Sequence, residues 1–417
     1  MKKIIFLFFF TNFIFGQLPT ISLNDLWNGN YNLVRLESIR SMKNGTNYTV
    51  LETAGQKATT TIMQYDFNKV NLGTIIISSD NHPEINSFSN YSFSKNEEKI
   101  ILETEVNPIY RRSKQAIYWV YDQKNKELQK ISNNKIQEPL FSPDATKIAY
   151  VFKRNLFVKD LVSQRKVQVT FDGDYKTLNG ISDWVYEEEF GIVRAFDWSP
   201  DSSAIVYMRF DETKVPIFSM DIYGKDVYQF PYRFRYPKAG EENSKITLHH
   251  FTLENRKKER IFFEGEVPYY IPRIKFEEGN NGLIIQTLNR HQNHLKVWRW
   301  SSKTSKMQLL LEVKDDAYVS IHDNLQFLED ATFLWTSERD GYNHVYHYDK
   351  NGAILNQVTK VHWEVTDLYG FNKKTKEIYY QSVEGSSTER GIYSVKLSGK
   401  GKRVLHKTRG TNGATFS

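Results

Sequence analysis

The chain repeats one pattern of polar and apolar positions. Each copy has an aromatic residue, a polar residue, a short polar turn and then an apolar run that predicts a β-strand. Clear copies are YSFSKNEEKIILE, LFSPDATKIAYVF and FDWSPDSSAIVYMRF. The aromatic centres of the six copies are Phe93, Phe141, Trp198, Phe276, Phe327 and Phe371. Units of about 40–50 residues with four short strands are typical of β-propeller blades.

The turns within the copies support this interpretation. The segments SPD and SPDSS place proline at the second position of a type I turn, followed by an aspartate that can bond its own backbone. An earlier copy fits around NYTVLET, and ATFS at the end of the chain resembles the opening of a further copy. We therefore predict an all-β, eight-bladed-type β-propeller, here with about seven blades and the start of the last. Because an unfinished blade exposes strand edges, we expect the sequence to be truncated relative to the working protein.

The N-terminus reads MKKIIFLFFFTNFIFGQ. Lys2 and Lys3 precede an apolar run of the length found in secretory signals, which is short for a membrane span. We predict a signal peptide over residues 1–16 and an exported, periplasmic or extracellular protein. A single N-terminal anchor is the alternative. We expect no membrane span after signal cleavage.

Composition excludes several classes. The 417 residues are 40% hydrophobic and 14% aromatic, which is enough for a sizeable core. The formal charge is +7, but acidic and basic residues alternate without a basic stripe, so a nucleic-acid partner is not expected. Cysteine is absent, which excludes disulfides, thiolate metal sites and a cysteine nucleophile.

The segment DWVYEEEFG at 183–191 places three glutamates among aromatic residues. It has helical character and lies in an unusually long interval between two repeats, which predicts an insertion at a blade edge. On a helix, Glu188 and Glu189 project about 100° apart and can lean towards one pocket. Three interpretations fit the residues alone: a solvated acidic helix start, a pair of carboxylates for a primary ammonium group, and a metal site.

Longer stretches resemble a known family. NGISDWVYEEEFGIVRAFDWSPDSSAIVYMRFDETKVPIFSMDIYG is similar to the double-glutamate segment of the dipeptidyl peptidase IV family, within the prolyl oligopeptidase-type serine peptidases. RYPKAGEENSKITL and TISLNDLWNGNYNL resemble two further segments of that family. The resemblance covers residues from about 20 to 417. It implies an N-terminal arm over 17–29 that packs on a hydrolase domain, and a propeller over 30–417 that is truncated in its last blade.

The resemblance also implies site residues. Two glutamates of the family motif bind the free α-amino group of a peptide, and their positions correspond to Glu188 and Glu189. A family arginine that holds a substrate carbonyl oxygen corresponds to Arg111 in NPIYRRSKQAIYWVYD, with Arg112 adjacent. A surface arginine paired to an acid is the alternative for Arg111. In AYVSIHDNLQF, where the extended pocket of the family falls, the chain diverges and no residue is assigned.

The catalytic half of such a peptidase is not predicted here. The family uses a Ser-His-Asp triad, whose nucleophile lies in a G-x-S-x-G turn. The nearest string, GSSTE at 385–389, lacks the second glycine and predicts a polar hairpin loop. We therefore assign no catalytic residue, metal or cofactor, and we expect the α/β-hydrolase domain to be absent from this chain.

The function predicted from the resemblance is the substrate-gating propeller of an exported serine exopeptidase that removes N-terminal Xaa-Pro or Xaa-Ala dipeptides. Its partners are peptides with a free N-terminus, and the full-length protein is expected to form a homodimer. The alternative is a non-catalytic propeller that binds peptides or proteins. A family member with the whole fold but a broken triad is a third candidate.

Overall fold

A computed structural model describes residues 20–32, 38–54, 59–69, 73–263, 265, 267–277 and 282–416. The chain divides into two units, Met1–Ser38 and Ile39–Ser417. In the first unit, Ser22 caps helix α1 (Leu23–Trp27), and Asp25 completes a capping box by accepting a bond from the Ser22 backbone. The predicted signal peptide at 1–16 lies outside the described residues.

In its described residues, the second unit contains eight antiparallel sheets. Seven of them follow one another along the chain as the blades of a β-propeller, which confirms the predicted all-β fold. Blades 1 to 3 contain β1 (Arg40–Ser41), β2 (Asn47–Ala54), β3 (Thr59–Asp66) and β4 (Thr74–Ser78), then β5 (Asn90–Phe93), β6 (Lys99–Pro108), β7 (Lys114–Asp122) and β8 (Glu127–Lys130), then β9 (Gln137–Phe141), β10 (Lys147–Phe152), β11 (Asn155–Asp160) and β12 (Lys166–Gln168). A short 3₁₀ helix, Ser79–Asn81, follows blade 1.

Blade 4 departs from this four-stranded plan. Its strands are β13 (Thr177–Asn179), β14 (Phe196–Trp198), β15 (Ala204–Asp211), β18 (Lys245–Thr252) and β19 (Lys258–Ile261). Strands β13 and β14 both pair with β15, at opposite ends of it, and helix α2 (Trp184–Glu189) lies between them in the chain. The glutamate-bearing segment is therefore a helical insertion that interrupts the first strand of a blade.

A second insertion in blade 4 was not predicted from the repeat. Strands β16 (Ile217–Ile222) and β17 (Phe230–Arg235) form a separate antiparallel hairpin between β15 and β18. This hairpin lies in the interval between the repeat centres Trp198 and Phe276 and helps to explain why that interval is long.

Blades 5 to 7 return to four strands each. They contain β20 (Tyr270–Phe276), β21 (Gly282–Leu288), β22 (His294–Ser301) and β23 (Met307–Lys314), then β24 (Gln326–Phe327), β25 (Phe333–Ser337), β26 (His344–Tyr348) and β27 (Ile354–Gln357), then β28 (Val365–Asn372), β29 (Glu377–Ser382), β30 (Gly391–Lys396) and β31 (Arg403–His406). Residues 407–416 form no strand, and the ring of Phe416 packs on Tyr369 and Tyr379 of blade 7.

The sequence repeat corresponds to one structural position. All six aromatic centres lie on the first strand of a blade, namely β5, β9, β14, β20, β24 and β28. The turns that follow behave as predicted: Asp144 accepts bonds from Ser142 Oγ and Thr146 N, and Asp201 accepts bonds from Ser199 Oγ and Ser203 N. Apolar side chains from neighbouring blades then pack together, and the largest such cluster runs through blades 3 to 6.

Candidate functional site

Helix α2 begins and ends at residues suited to those positions. The Asp183 carboxylate accepts a bond from the Tyr186 amide at 3.0 Å and another from Ser244 Oγ, which satisfies the start of the helix. Burial raises the pKa of Asp183, although these two hydrogen bonds oppose the shift. Gly191 follows the helix with φ +68°, in the left-handed region where glycine carries no steric cost.

Buried contacts fix the helix between blades 4 and 5. Tyr186 is 1% exposed, its ring packs edge-on against Phe190 and Phe210, and its hydroxyl accepts a bond from the Ile271 amide at 2.9 Å. Arg273 Nη1 donates to the Phe190 carbonyl at 2.8 Å, so a cation lies at the helix C-terminus. The backbone that carries the glutamates is therefore held rigidly.

The structure brings Arg111 and Glu188 together. Arg111 lies in the turn between β6 and β7 of blade 2, and its Nε donates to Glu188 Oε2 at 2.8 Å. The Arg111 side chain is 73% exposed and that of Glu188 is 18% exposed, so the pair faces solvent on the arginine side. Both sequence-based interpretations of Arg111, an arginine paired to an acid and an arginine of the site, are compatible with this geometry.

Glu189 occupies a different environment. It is exposed, and within the described residues its carboxylate has no hydrogen-bond or ion-pair partner. The helix turn separates it from Glu188, which points to blade 2. The two carboxylates thus form an open acidic edge on α2, in which one member is neutralised by Arg111 and the other is available to a ligand.

The first glutamate of the motif has a structural contact that the sequence interpretation missed. Glu187 is 1% exposed, and its Oε1 accepts bonds from the backbone amides of Arg112 at 2.6 Å and Ser113 at 2.8 Å. The Arg112 side chain returns the contact, since its Nε donates to the Glu187 carbonyl at 3.3 Å. The one available signal was that three glutamates stand in a row where the family function needs two.

A cavity of about 350 Å³ lies beside this cluster. Blades 2 to 4 and the β16–β17 hairpin line it, and Glu187 lines it whereas Glu188 and Glu189 do not. The expectation that Glu188 and Glu189 lean towards one pocket thus finds no support at this cavity and stays a prediction, since neither residue lines it. Aromatic contacts join the hairpin to the site. Phe234 packs on Tyr110, and Tyr236, two residues further along the chain, packs on Trp184.

Glu212 is the unusual charged group of this cavity. It is 6% exposed and makes no side-chain hydrogen bond within the described residues; its ion-pair partner is Arg154, with Nη1 at 3.8 Å. Burial, followed by the charge of Asp183, raises the pKa of Glu212 to about 7, while Arg154 and Arg235 oppose the shift. Its carboxyl group is thus poised to change charge near neutral pH.

A larger cavity, of about 580 Å³, lies elsewhere. It runs along the first strands of blades 2 to 5 and contains Glu103, which accepts bonds from Lys114 Nζ and Tyr118 Oη, and Glu138, which faces Arg194. None of Arg111, Glu188 and Glu189 lines it. We therefore place the candidate site on the α2 edge, where Arg111 meets Glu188, and not in this larger cavity.

Two other sequence expectations can be located. GSSTE at 385–389 connects β29 to β30, which confirms the predicted polar hairpin loop. In AYVSIHDNLQF, Asp323 accepts two bonds from Arg273, the same arginine that binds the Phe190 carbonyl. The diverging segment is thus connected to helix α2. Among the residues that the structure describes, no group of three or more His, Cys, Asp or Glu side chains could hold a metal ion.

Comparison with known proteins agrees with the β-propeller fold. Residues 94–417 match the family described as the dipeptidyl peptidase IV (DPP IV) N-terminal region. Among solved structures, the chain is similar to Porphyromonas gingivalis dipeptidyl peptidase 4, with a TM-score of 0.88 and 33% identity, over 96% of this chain and 57% of that one.

Two curated relatives show the same partial coverage. Dipeptidyl peptidase 4 of Felis catus is 28% identical over 341 residues, which is 75% of this chain and 44% of the relative. The probable dipeptidyl-aminopeptidase B of Phaeosphaeria nodorum is 26% identical over 399 residues, which is 87% of this chain and 43% of the relative. The chain spans about half the length of the curated relatives it matches. No helix in the described part of the chain is long and apolar enough to cross a membrane.

The seven blades, the α2 insertion and the match over most of the chain lead to one assignment. The chain belongs to the dipeptidyl peptidase IV family, and it corresponds to that family's N-terminal β-propeller region.

Proposed function

We propose that this chain is the substrate-gating propeller of an exported dipeptidyl peptidase IV-like serine exopeptidase, which releases Xaa-Pro or Xaa-Ala dipeptides from peptide N-termini. The observation that carries the proposal is the α2 edge, where Arg111 pairs with Glu188 beside the exposed Glu189. The family of the chain and the names of its relatives support the reaction class.

The charges at this edge suit the end of a peptide. An α-ammonium group has three N–H donors, and two adjacent carboxylates supply acceptors for them. Hydrogen bonds to charged groups contribute about 1.5–3 kcal/mol each. Arg111 supplies a planar donor for a carbonyl oxygen of the same peptide. Glu188, Glu189 and Arg111 would therefore fix the N-terminus and so set how many residues extend beyond them to the scissile bond.

The chemistry of bond cleavage belongs to a part of the protein outside this chain. We assign to it an α/β-hydrolase domain with a Ser-His-Asp triad, as implied by the family. The propeller then contributes selection: it admits peptides whose amino group is free, and it rejects those whose amino group is blocked.

The β16–β17 hairpin supports a homodimer of the whole protein. The hairpin exposes five large apolar side chains, and such a patch is typical of an interaction surface. They are Ile217, Tyr223, Val227, Tyr228 and Phe230. A second copy of the hairpin would bury such a surface symmetrically.

Cleavage specificity tests the proposal. We expect the whole protein to release Ala-Pro from an Ala-Pro-initiated peptide, as detected by mass spectrometry, and to leave the N-acetylated peptide intact. Secretion into the periplasm or medium with loss of residues 1–16 tests the export part separately. Binding of both peptides without cleavage of either would favour the alternative, a non-catalytic peptide-binding propeller. Cleavage of the acetylated peptide at the same rate would contradict the role of the α2 edge.

A further inference from the structure

We propose that Glu187 is a positioning residue, which sets the turn that carries Arg111 against helix α2 and so places the Arg111 guanidinium opposite Glu188. This inference rests on the proposed function, because it assigns how the peptide-binding edge is assembled from two different blades. It gives the three consecutive glutamates two different tasks: Glu187 faces the protein, and Glu188 and Glu189 face the ligand.

The side chain of Glu187, on the helix inserted in blade 4, binds the β6–β7 turn of blade 2. Its Oε1 accepts two consecutive backbone amides, those of Arg112 and Ser113, at 2.6 and 2.8 Å. These residues directly follow Arg111 in the β6–β7 turn. Because a carboxylate oxygen accepts strongly and the site is buried, the two bonds are well protected from water.

Two hydrogen bonds within the turn use other amides as donors, so the amides of Arg112 and Ser113 can donate to Glu187. The Ile109 amide donates to the Ser113 carbonyl at 2.8 Å, and the Tyr110 amide donates to Ser113 Oγ at 3.2 Å. The local bonds close the turn, but they do not attach it to blade 4. The hydrogen bonds that hold the backbone of the turn to blade 4 come from Glu187, whose side chain accepts from two amides and whose carbonyl accepts from Arg112 Nε, while the ring of Tyr110 packs on Phe234 of the hairpin.

The side chain of Arg111 is held mainly by its contact with Glu188. Its side chain is 73% exposed, and its contact with Glu188 is an ion pair at the surface. Exposed ion pairs gain little energy, since solvent screens them and the long side chain loses rotamer freedom. The position of the guanidinium therefore depends on where the backbone of the turn is fixed, which is the task that the structure assigns to Glu187.

Kinetics of the whole protein with an Ala-Pro chromogenic substrate test this inference. We expect Glu187→Ala to lower kcat/KM at least about tenfold in the wild-type background and less than about threefold in an Arg111→Met background. The conservative variant Glu187→Gln should recover most of the loss, because its amide oxygen accepts both backbone amides. Glu377→Ala is the matched control: it removes a buried glutamate from blade 7, where the carboxylate binds Arg403.

The outcomes separate the alternatives. Equal losses in the two backgrounds would overturn the inference, since the effect would not pass through Arg111. A Glu187→Gln variant as impaired as Glu187→Ala would also overturn it, because the negative charge itself would then be required. If Glu188→Gln and Glu189→Gln have no effect on cleavage, the proposed function fails instead.

Amide exchange gives a readout that needs no activity. In the whole protein, the amides of Arg112 and Ser113 should exchange slowly in the wild type and in Glu187→Gln. In Glu187→Ala they should exchange at least about tenfold faster, while the Glu377→Ala control leaves them unchanged. If the amides of Arg112 and Ser113 still exchange slowly in Glu187→Ala, Glu187 does not hold the turn.

Discussion

Arg111 Nε lies 2.8 Å from Glu188 Oε2, although one residue belongs to a turn of blade 2 and the other to a helix inserted in blade 4. The contact joins a cation and an anion that are 77 positions apart in the chain. With Glu189 exposed beside them, the edge carries two negative charges and one positive charge. An ammonium group would complete the charge balance, and a carbonyl oxygen would find the guanidinium next to it.

Replacement of Arg111 tests whether this pair serves a ligand. Arg111→Met frees Glu188 but removes the donor for the peptide carbonyl, so we expect kcat/KM for an Ala-Pro substrate to fall roughly 10- to 100-fold. Arg111→Lys should recover only part of the loss, because an ammonium group lacks the planar, forked donors of arginine. Steady-state kinetics of the whole protein measures both. As a control, Arg256→Met changes an exposed arginine of the β18–β19 turn; an Arg111→Met variant with that control's kinetics would refute the assignment.

The hydroxyl of Tyr186 should stabilise blade 4 against unfolding. Tyr186→Phe keeps the ring contacts but leaves the buried Ile271 amide without its acceptor, which costs about 1–3 kcal/mol. Chemical denaturation should show this loss. Tyr342→Phe is the matched control, because that tyrosine is 40% exposed, lies away from the hairpin and should lose nothing measurable. Equal stability of the two variants would mean that the Tyr186 bond contributes nothing.

Glu212 predicts a pH dependence of stability. Its folded-state pKa of about 7 lies above the ordinary value of 4.5. The folded protein therefore holds this proton more tightly than the unfolded chain. The contribution to stability is complete below about pH 4.5 and is lost as the pH rises through about 7.

Glu212→Gln removes this titration. We expect the variant to gain stability relative to the wild type as the pH rises from 5 to 8, by on the order of 2 kcal/mol at pH 8. Thermal melts across that range measure the difference. The thermal stability of Glu254→Gln, which changes an exposed carboxylate, should depend on pH in the same way as that of the wild type. A difference between Glu212→Gln and wild type that stays constant with pH would show that Glu212 does not titrate in this range.

The hairpin predicts the oligomeric state of the whole protein. Tyr228 is 83% exposed near the β16–β17 turn, and Tyr228→Glu introduces a charge into the proposed interface. We expect sedimentation velocity to show a shift from dimer to monomer, or at least about a tenfold weaker dimer. Val162→Glu changes a comparably exposed residue of blade 3 and should leave the dimer intact. A dimer unaffected by Tyr228→Glu places the interface elsewhere.

The blades could be predicted from sequence because each blade needs the same types of residue at equivalent positions. Phe93 and Trp198 occupy equivalent buried or half-buried positions on the first strands of their blades. Aspartates such as Asp144 accept hydrogen bonds within the turn that follows. These residue types therefore recur in the sequence wherever a blade begins. The β16–β17 hairpin could not be found in this way. It is an insertion between two strands of one blade and carries no copy of the repeat.

The site was predictable only in part, for a similar reason. The resemblance predicts Glu188, Glu189 and Arg111 as site residues, and the structure brings Arg111 to Glu188. It could not reveal that Glu187 is buried, since a run of like charges does not tell which member the helix turns inward. The raised pKa of Glu212 depends on burial and on Asp183, which lies nearly thirty positions away in the chain.

The central claim is that the carboxylates of Glu188 and Glu189 bind the α-ammonium group of a peptide, and a double-mutant cycle tests it most directly. An Ala-Pro peptide with a free or an acetylated N-terminus is titrated into the whole protein, with its nucleophilic serine replaced by alanine to prevent cleavage, and into the same protein carrying Glu188→Gln/Glu189→Gln. Glu329→Gln in that background, at an exposed ion pair of blade 6, is the control. We predict that acetylation weakens binding at least about tenfold in the wild type and the control, and less than about twofold in the double variant. An equal effect of acetylation in all three proteins would contradict the account.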